Sequence, residues 1–191
     1  MLTVHGSVTS PFVRRTRLLL ADIAHDFKLV SVFDPAEKAE LSKVNPTIKI
    51  PMLQDGDFYV YDSRVIQRYC VEKHGLAPVA WEQENLLSII DSISDSLVQL
   101  FLLKKSGVDT SQDALYFNNQ RDRFAQAFSA LESATDQGQF AQWHYASICL
   151  FCLIDWVMFR NLYDLSSYPN LLAFHEKFKD REDCKNTAPH D

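Results

Sequence analysis

The stretch Lys49-Ile50-Pro51-Met52-Leu53-Gln54-Asp55-Gly56-Asp57-Phe58-Tyr59-Val60-Tyr61-Asp62-Ser63 decides how the first part of this chain folds. Lys49 to Leu53 reads as a strand beginning at a proline, the one place in a strand where a missing N–H is tolerated. Asp55-Gly56-Asp57 is a hairpin turn signal, so Phe58-Tyr59-Val60-Tyr61 returns antiparallel. Asp62 or Ser63 then caps a helix running to about Lys73, with Val65, Ile66, Tyr69 and Cys70 along its apolar stripe.

Outward toward the N-terminus, Leu2 to His5 is short and suited to a strand. Gly6-Ser7-Val8-Thr9-Ser10-Pro11 follows, with Ser10 a good helix N-cap and Pro11 at the first helical position. Phe12 to Ala24 has a helical pattern, Phe27 to Phe33 reads as a second strand, and Pro35 to Val44 as an exposed helix ended by Asn45-Pro46. Strands joined by a helical crossover run parallel. The first half is therefore strand, helix, strand, helix, strand, strand, helix.

Toward the C-terminus, Gly75 and Pro78 mark a linker, after which β signals nearly vanish. Helical spacing predicts long helices over 82–105 and 113–135, and shorter ones over 144–160 and 171–179. The change of style near residue 78 divides the chain into an α/β domain over 1–75, a linker over 76–81 and an all-α domain over 82–191.

The bulk composition fits this reading. Hydrophobic residues make up 47% of the chain, ample for packed cores. A formal net charge of -6 gives no general pull toward nucleic acid or an anionic membrane, so neither is expected as a partner. The longest apolar run, Ala146 to Phe159, is interrupted by Asp155 and falls short of the roughly 20 residues a bilayer needs. No signal peptide pattern opens the chain, so a cytoplasmic location is expected. Cys149 and Cys152 have C-x-x-C spacing, but lie inside an apolar helical pattern where packing is the simpler role. No set of metal ligands is apparent, and nothing suggests a nucleotide.

Three motifs, in order and at suitable separations, resemble the cytosolic glutathione S-transferase family. They are Ser10-Pro11-Phe12-Val13-Arg14-Arg15, Asn45-Pro46-Thr47-Ile48-Lys49-Ile50-Pro51-Met52-Leu53, and Tyr61-Asp62-Ser63-Arg64-Val65-Ile66. Trp156-Val157-Met158-Phe159-Arg160 and Asn186-Thr187-Ala188-Pro189 look like segments of bacterial, serine-type members that also begin S-P-F-V-R. The resemblance implies a thioredoxin-like N-terminal domain plus an all-α C-terminal domain. It also implies an enzyme that uses glutathione as co-substrate against a small electrophile, without a metal, as a homodimer. One departure is His144-Tyr145-Ala146-Ser147, where the family's S/T-x-x-D capping box has lost its aspartate.

The resemblance also implies roles for residues. Ser10 is the catalytic candidate, its hydroxyl donating to the glutathione thiolate, with Ser7 and Thr9 as nearby alternatives. Ile50, before a cis Pro51, pairs through its backbone with the cysteinyl part. Lys49 reaches the glycyl carboxylate. Asp62 and Ser63 hold the γ-glutamyl amine and carboxylate, and Phe12 flanks the site or packs between the domains. Arg14 and Arg15 are candidates for anion binding or a solvated helix face. Phe101, Tyr116 and Trp156 are candidates for the electrophile pocket, with a packing role as the alternative. Asp91 or Asp95 is a candidate to approach a partner subunit's site. With no cysteine at the start of the first helix, mixed-disulfide chemistry is disfavoured. Glutathione-dependent isomerisation and a non-catalytic binding or regulatory role stay open beside transfer.

Overall fold

The computed structural model describes residues 1–190 and divides the chain into two compact units. The first contains residues 1–78 together with the C-terminal segment from Lys179, and the second runs Val79–Phe178.

In the first unit the elements are β1 (Leu2–Gly6), α1 (Pro11–Leu19), β2 (His25–Leu29), α2 (Pro35–Val44), β3 (Met52–Asp55), β4 (Phe58–Tyr61) and α3 (Ser63–His74). They form a four-stranded sheet in the order β2-β1-β3-β4. The β1–β2 pair is parallel; β1–β3 and β3–β4 are antiparallel. This is the thioredoxin-like arrangement expected. Side chains alternate across the sheet with period two. Leu2, Val4, Leu53 and Val60 share one core with Val13 and Leu20 of the α1 segment and Ile66 and Cys70 of α3. Met52 and Val30 pack with Leu41 of α2 in a second cluster.

Several boundaries differ from the periodicity reading. The first helix ends at Leu19 rather than Ala24, because a tight turn carries Ile23 N–H onto Leu20 O. That turn sets β2 two residues earlier, with His25 opposite Leu2. Past Leu29 the chain leaves the sheet, and Asp34 caps α2 by accepting from Ala36 and Glu37 N–H, both at 2.9 Å.

The second unit comprises α4 (Trp81–Lys105), α5 (Leu115–Asp136), α6 (Tyr145–Arg160) and α7 (Pro169–Phe178). α6 is buried on nearly all sides, as its uniformly apolar sequence requires. Its acid Asp155 accepts from buried His175 Nε2 at 2.7 Å, and that imidazole stacks on Phe151 at 5.0 Å. Glu132 of α5 caps α7, accepting from Asn170 N at 2.8 Å and Leu171 N at 2.9 Å. By length and composition α4 could cross a membrane. Serines and single acids spread through it break its apolar run in the sequence. Leu86, Leu87, Ile90, Ile93 and Leu97 of this helix are buried within the protein.

The C-terminal segment adds a short helix, α8 (Glu182–Asn186), that the apolar pattern does not reveal. The sequence order groups these residues with the helical half; their contacts place them in the first unit. The physical reason is buried Arg14 of α1, whose Nη2 donates to Cys184 O at 3.0 Å.

Candidate functional site

The register of the sheet gathers the three motifs. His5 pairs with Met52, and Met52 pairs with Tyr61. The loop leaving β1, the residues entering β3 and the residues leaving β4 therefore meet at one end of the sheet. Those segments carry Ser10, Ile50-Pro51 and Asp62-Ser63. The N-termini of α1 and α3 open at this end too, and each presents backbone N–H groups and the positive end of a helix dipole.

Gly6 makes the first turn possible. A Cβ there would lie 2.3 Å from Val13 Cγ2 and 2.8 Å from Cγ1, so only glycine lets α1 close against the end of β1. Ser10 follows as the N-cap, in extended backbone, with Oγ accepting from Val13 N at 3.3 Å. This cap uses one lone pair, so the hydroxyl proton stays available to donate elsewhere. Capping and donation to an anion are compatible in one side chain. Ser7, Thr9 and Ser10 are all half-buried, and Ser10 N–H donates to Ser7 O at 3.3 Å.

The loop before β3 is organised by Asn45, which sequence reasoning treats only as a helix breaker. Its side chain is fully buried. Oδ1 accepts from Thr47 N at 3.0 Å and Thr47 Oγ at 2.7 Å, while Nδ2 donates to Lys49 O at 2.8 Å. Tyr61 adds a bond from its hydroxyl to Val44 O at 2.5 Å. The loop is thereby tied to β4, and its shape is set before Ile50. The Ile50–Pro51 peptide is cis. Ile50 is half-buried, Pro51 buried, and Lys49 exposed.

At β4's end, Asp62 is the cap and Ser63 the first helical residue. Asp62 takes a positive φ of 71°, and Oδ1 accepts from Arg64 N at 2.8 Å and Val65 N at 3.3 Å. Asp62 is exposed while Ser63 is buried, at the mouth of α3. A carboxylate has more acceptor sites than the cap consumes, so Asp62 can also receive an ammonium donor.

Residues 9–73 match the family model described as glutathione S-transferase, N-terminal domain. Over those residues the chain is similar to the glutathione S-transferase family. The uncharacterized GST-like protein YibF of Escherichia coli strain K12 is 25% identical, with 96% of this chain and 96% of YibF covered. A glutathione transferase family member from Pseudomonas fluorescens Pf-5, solved with bound glutathione, is 25% identical with a TM-score of 0.85 over 100% of both chains. A glutathione S-transferase from Methylobacillus flagellatus KT, solved with GSH bound, shares the fold at a TM-score of 0.85 and 24% identity over 100% of both chains.

Burial and partners distinguish the roles left open for the other candidate side chains. Arg14 and Arg15 are both buried, so neither forms a solvated helix face. The Arg15 guanidinium lies 4.8 Å from the centre of the Phe12 ring, holding that half-buried aromatic beside Ser10 in sequence. Phe101 and Trp156 pack edge to face at 6.0 Å, and Trp156 is buried. Tyr116 is exposed and donates to Gln99 Oε1 at 2.6 Å. Asp91 is half-buried on α4 and Asp95 exposed.

All four cysteines are buried and unbridged, and burial pushes the Cys70 thiol up to about 11. A thiol so protonated is a poor nucleophile. Among the described residues, no group of three or more His, Cys, Asp or Glu side chains could hold a metal.

The altered capping box at α6 is rescued by its first residue. His144 Nδ1 accepts from Ser147 N at 3.2 Å, and Nε2 lies 3.2 Å from Gln139 O. The pair of contacts fits the tautomer protonated on Nε2. Ser147 Oγ instead donates to Gln142 O at 2.6 Å. An imidazole thus replaces the usual capping side chain.

Proposed function

We propose that this protein binds glutathione at the motif-bearing end of the sheet and activates its thiol for attack on a small electrophile. The observation that carries this reading is the convergence of Ser10, Ile50-Pro51 and Asp62-Ser63 through the β1–β3–β4 register. Glutathione bound to a 25%-identical relative supports the same ligand class.

The division of labour follows from chemistry. Ser63 and the N-terminus of α3 suit the γ-glutamyl carboxylate, and Asp62 suits the adjacent ammonium. The backbone of Ile50 offers strand-like hydrogen bonds to the cysteinyl residue. Lys49, exposed on the same loop, suits the glycyl carboxylate. Ser10 Oγ–H donates to the sulfur. A free thiol titrates near 8.5, and two units of lowering favour thiolate by roughly 2.7 kcal/mol. Phe12 forms an apolar flank that limits competing water. Family resemblance adds a homodimer and a cytoplasmic setting to the proposal.

Glutathione titration of the wild type and Ser10→Ala tests this, following the heat of binding and the ultraviolet absorbance of bound thiolate. Saturable wild-type binding with a thiolate signal that Ser10→Ala lowers about tenfold or more is expected. Binding without thiolate would assign a binding role instead, and no binding would end the glutathione reading.

A further inference from the structure

The motif Asn186-Thr187-Ala188-Pro189 has no part in the site just described, yet its neighbourhood is built with care. Arg14 is buried in the middle of α1, and its guanidinium faces α8 rather than any solvent. Nη2 donates to Cys184 O at 3.0 Å and Nε to Thr187 Oγ at 3.4 Å. Thr187 Oγ in turn donates to Asp183 O at 2.8 Å, which orients a lone pair toward Arg14. One turn further along, Arg17 Nη2 donates to Asn186 O at 3.3 Å. Cys184 and Thr187 are themselves buried.

The other end of this link is Ser10. Arg14 N–H donates to Ser10 O at 3.0 Å, closing the first turn of α1. One residue therefore holds the tail by its side chain and the proposed catalytic serine by its backbone.

We propose that residues 181–187 act as a positioning element for Ser10. They grip Arg14 and Arg17 and fix the rotation and axial position of α1, and with it the direction of the Ser10 hydroxyl. This inference rests on the glutathione-activation reading above. Arg14 is a positioning residue, since it acts through the helix start rather than on the sulfur. A helix that rotates or slips by a fraction of an ångström still binds the two carboxylates of glutathione, which contact other segments. It aims the hydroxyl poorly, and the cost falls on the thiol.

The test measures the apparent pKa of the bound glutathione thiol from thiolate absorbance against pH. Proteins compared are the wild type, Arg14→Met, Thr187→Val, Thr187→Ser and the Arg14→Met/Thr187→Val double variant. Arg14→Met is expected to raise that pKa by about one unit, a tenfold smaller ionisation constant and, from a value two units below the free thiol, about threefold less thiolate at neutral pH. Glutathione Kd should change less than about threefold, since Lys49, Ile50, Asp62 and Ser63 are untouched. Thr187→Val should give a smaller rise in the same direction, and Thr187→Ser, which keeps the hydroxyl, the wild-type value. The double variant should fall short of the sum, because both changes cut one link. Lower melting temperatures with an unchanged thiol pKa would reduce the tail to a structural brace and overturn the proposal. A wild type that binds glutathione without thiolate, or does not bind it, would overturn the parent reading itself. Should Arg14→Met fail to fold, the Thr187 pair carries the same comparison alone.

Discussion

The two units of this chain are stabilised in different ways. The first relies on register and on polar groups placed one at a time. Gly6 admits Val13, Asn45 shapes a loop, Asp62 and Ser10 cap helices, and Arg14 grips the tail. The second relies on bulk. Phe128 stacks on Tyr163 at 4.8 Å, Trp143 packs tilted against Phe178 at 4.8 Å, and α6 is buried nearly throughout. The difference shows where function can be placed. A hydrophobic bundle tolerates changes of shape as long as volume is kept. A site built from hydrogen-bond directions does not, and in this chain the directional unit is the one that carries the motifs.

The largest expected effect lies in the bulk-packed unit. Phe128→Ala removes a fully buried ring from two aromatic neighbours, Tyr163 and Tyr168. It should destabilise the protein by about 3–5 kcal/mol in a denaturant titration. A loss below about 1.5 kcal/mol would break the contrast, because the aromatic cluster would then not be the unit's main support.

Next comes Gly6→Ala in the directional unit, expected to cost about 1–3 kcal/mol through overpacking on Val13. The pairing can be sharpened with Gly6→Ala/Val13→Ala, which should recover part of that loss. If the double variant is worse than the sum, the clash is elsewhere.

His144→Ala removes the imidazole that caps α6 and should cost about 1 kcal/mol. Asn, a standard cap, should restore most of it at the same position. A neutral His144→Ala would mean that α6 is held by packing alone, widening the contrast between the units.

The smallest effect is a pH dependence in the first unit. His5 is buried on β1, and desolvation lowers its pKa from the usual 6.5, opposed by the contact of Nε2 with Gln54 Oε1 at 3.0 Å. The folded state therefore holds the neutral imidazole, and the unfolded chain binds the extra proton. Stability is fully present above about 6.5 and declines as pH falls through that value toward the lowered folded one. His5→Gln should flatten this segment of the curve. An unchanged slope would move the acid sensitivity to another group.

Much of this organisation is legible in the residues. Alternation and turn chemistry place β1 and β4 and mark the neighbourhoods of β2 and β3, and Ser10-Pro11 and Asp62-Ser63 mark the starts of α1 and α3. The misses have physical causes. Helical periodicity runs past Leu19 because apolar residues continue into the turn at 20–23, where they still pack. Asn45 looks like a simple breaker because its value lies in three hydrogen bonds within its loop, which composition does not encode. α8 spans five residues, too short for an apolar period, although acids in its first turn and Lys185 in its last are a faint signal.

By itself the sequence determined the local elements, the three motifs and the family they point to, since caps, turns and alternation act between near neighbours. Only the tertiary structure decided that strand register brings residues 10, 50 and 62–63 to one end of a sheet. Only it buried Arg14 and turned the C-terminal residues back onto α1, a contact spanning 170 positions. Such partners are chosen by which buried polar groups find one another once the core has closed, and that choice has no local signature.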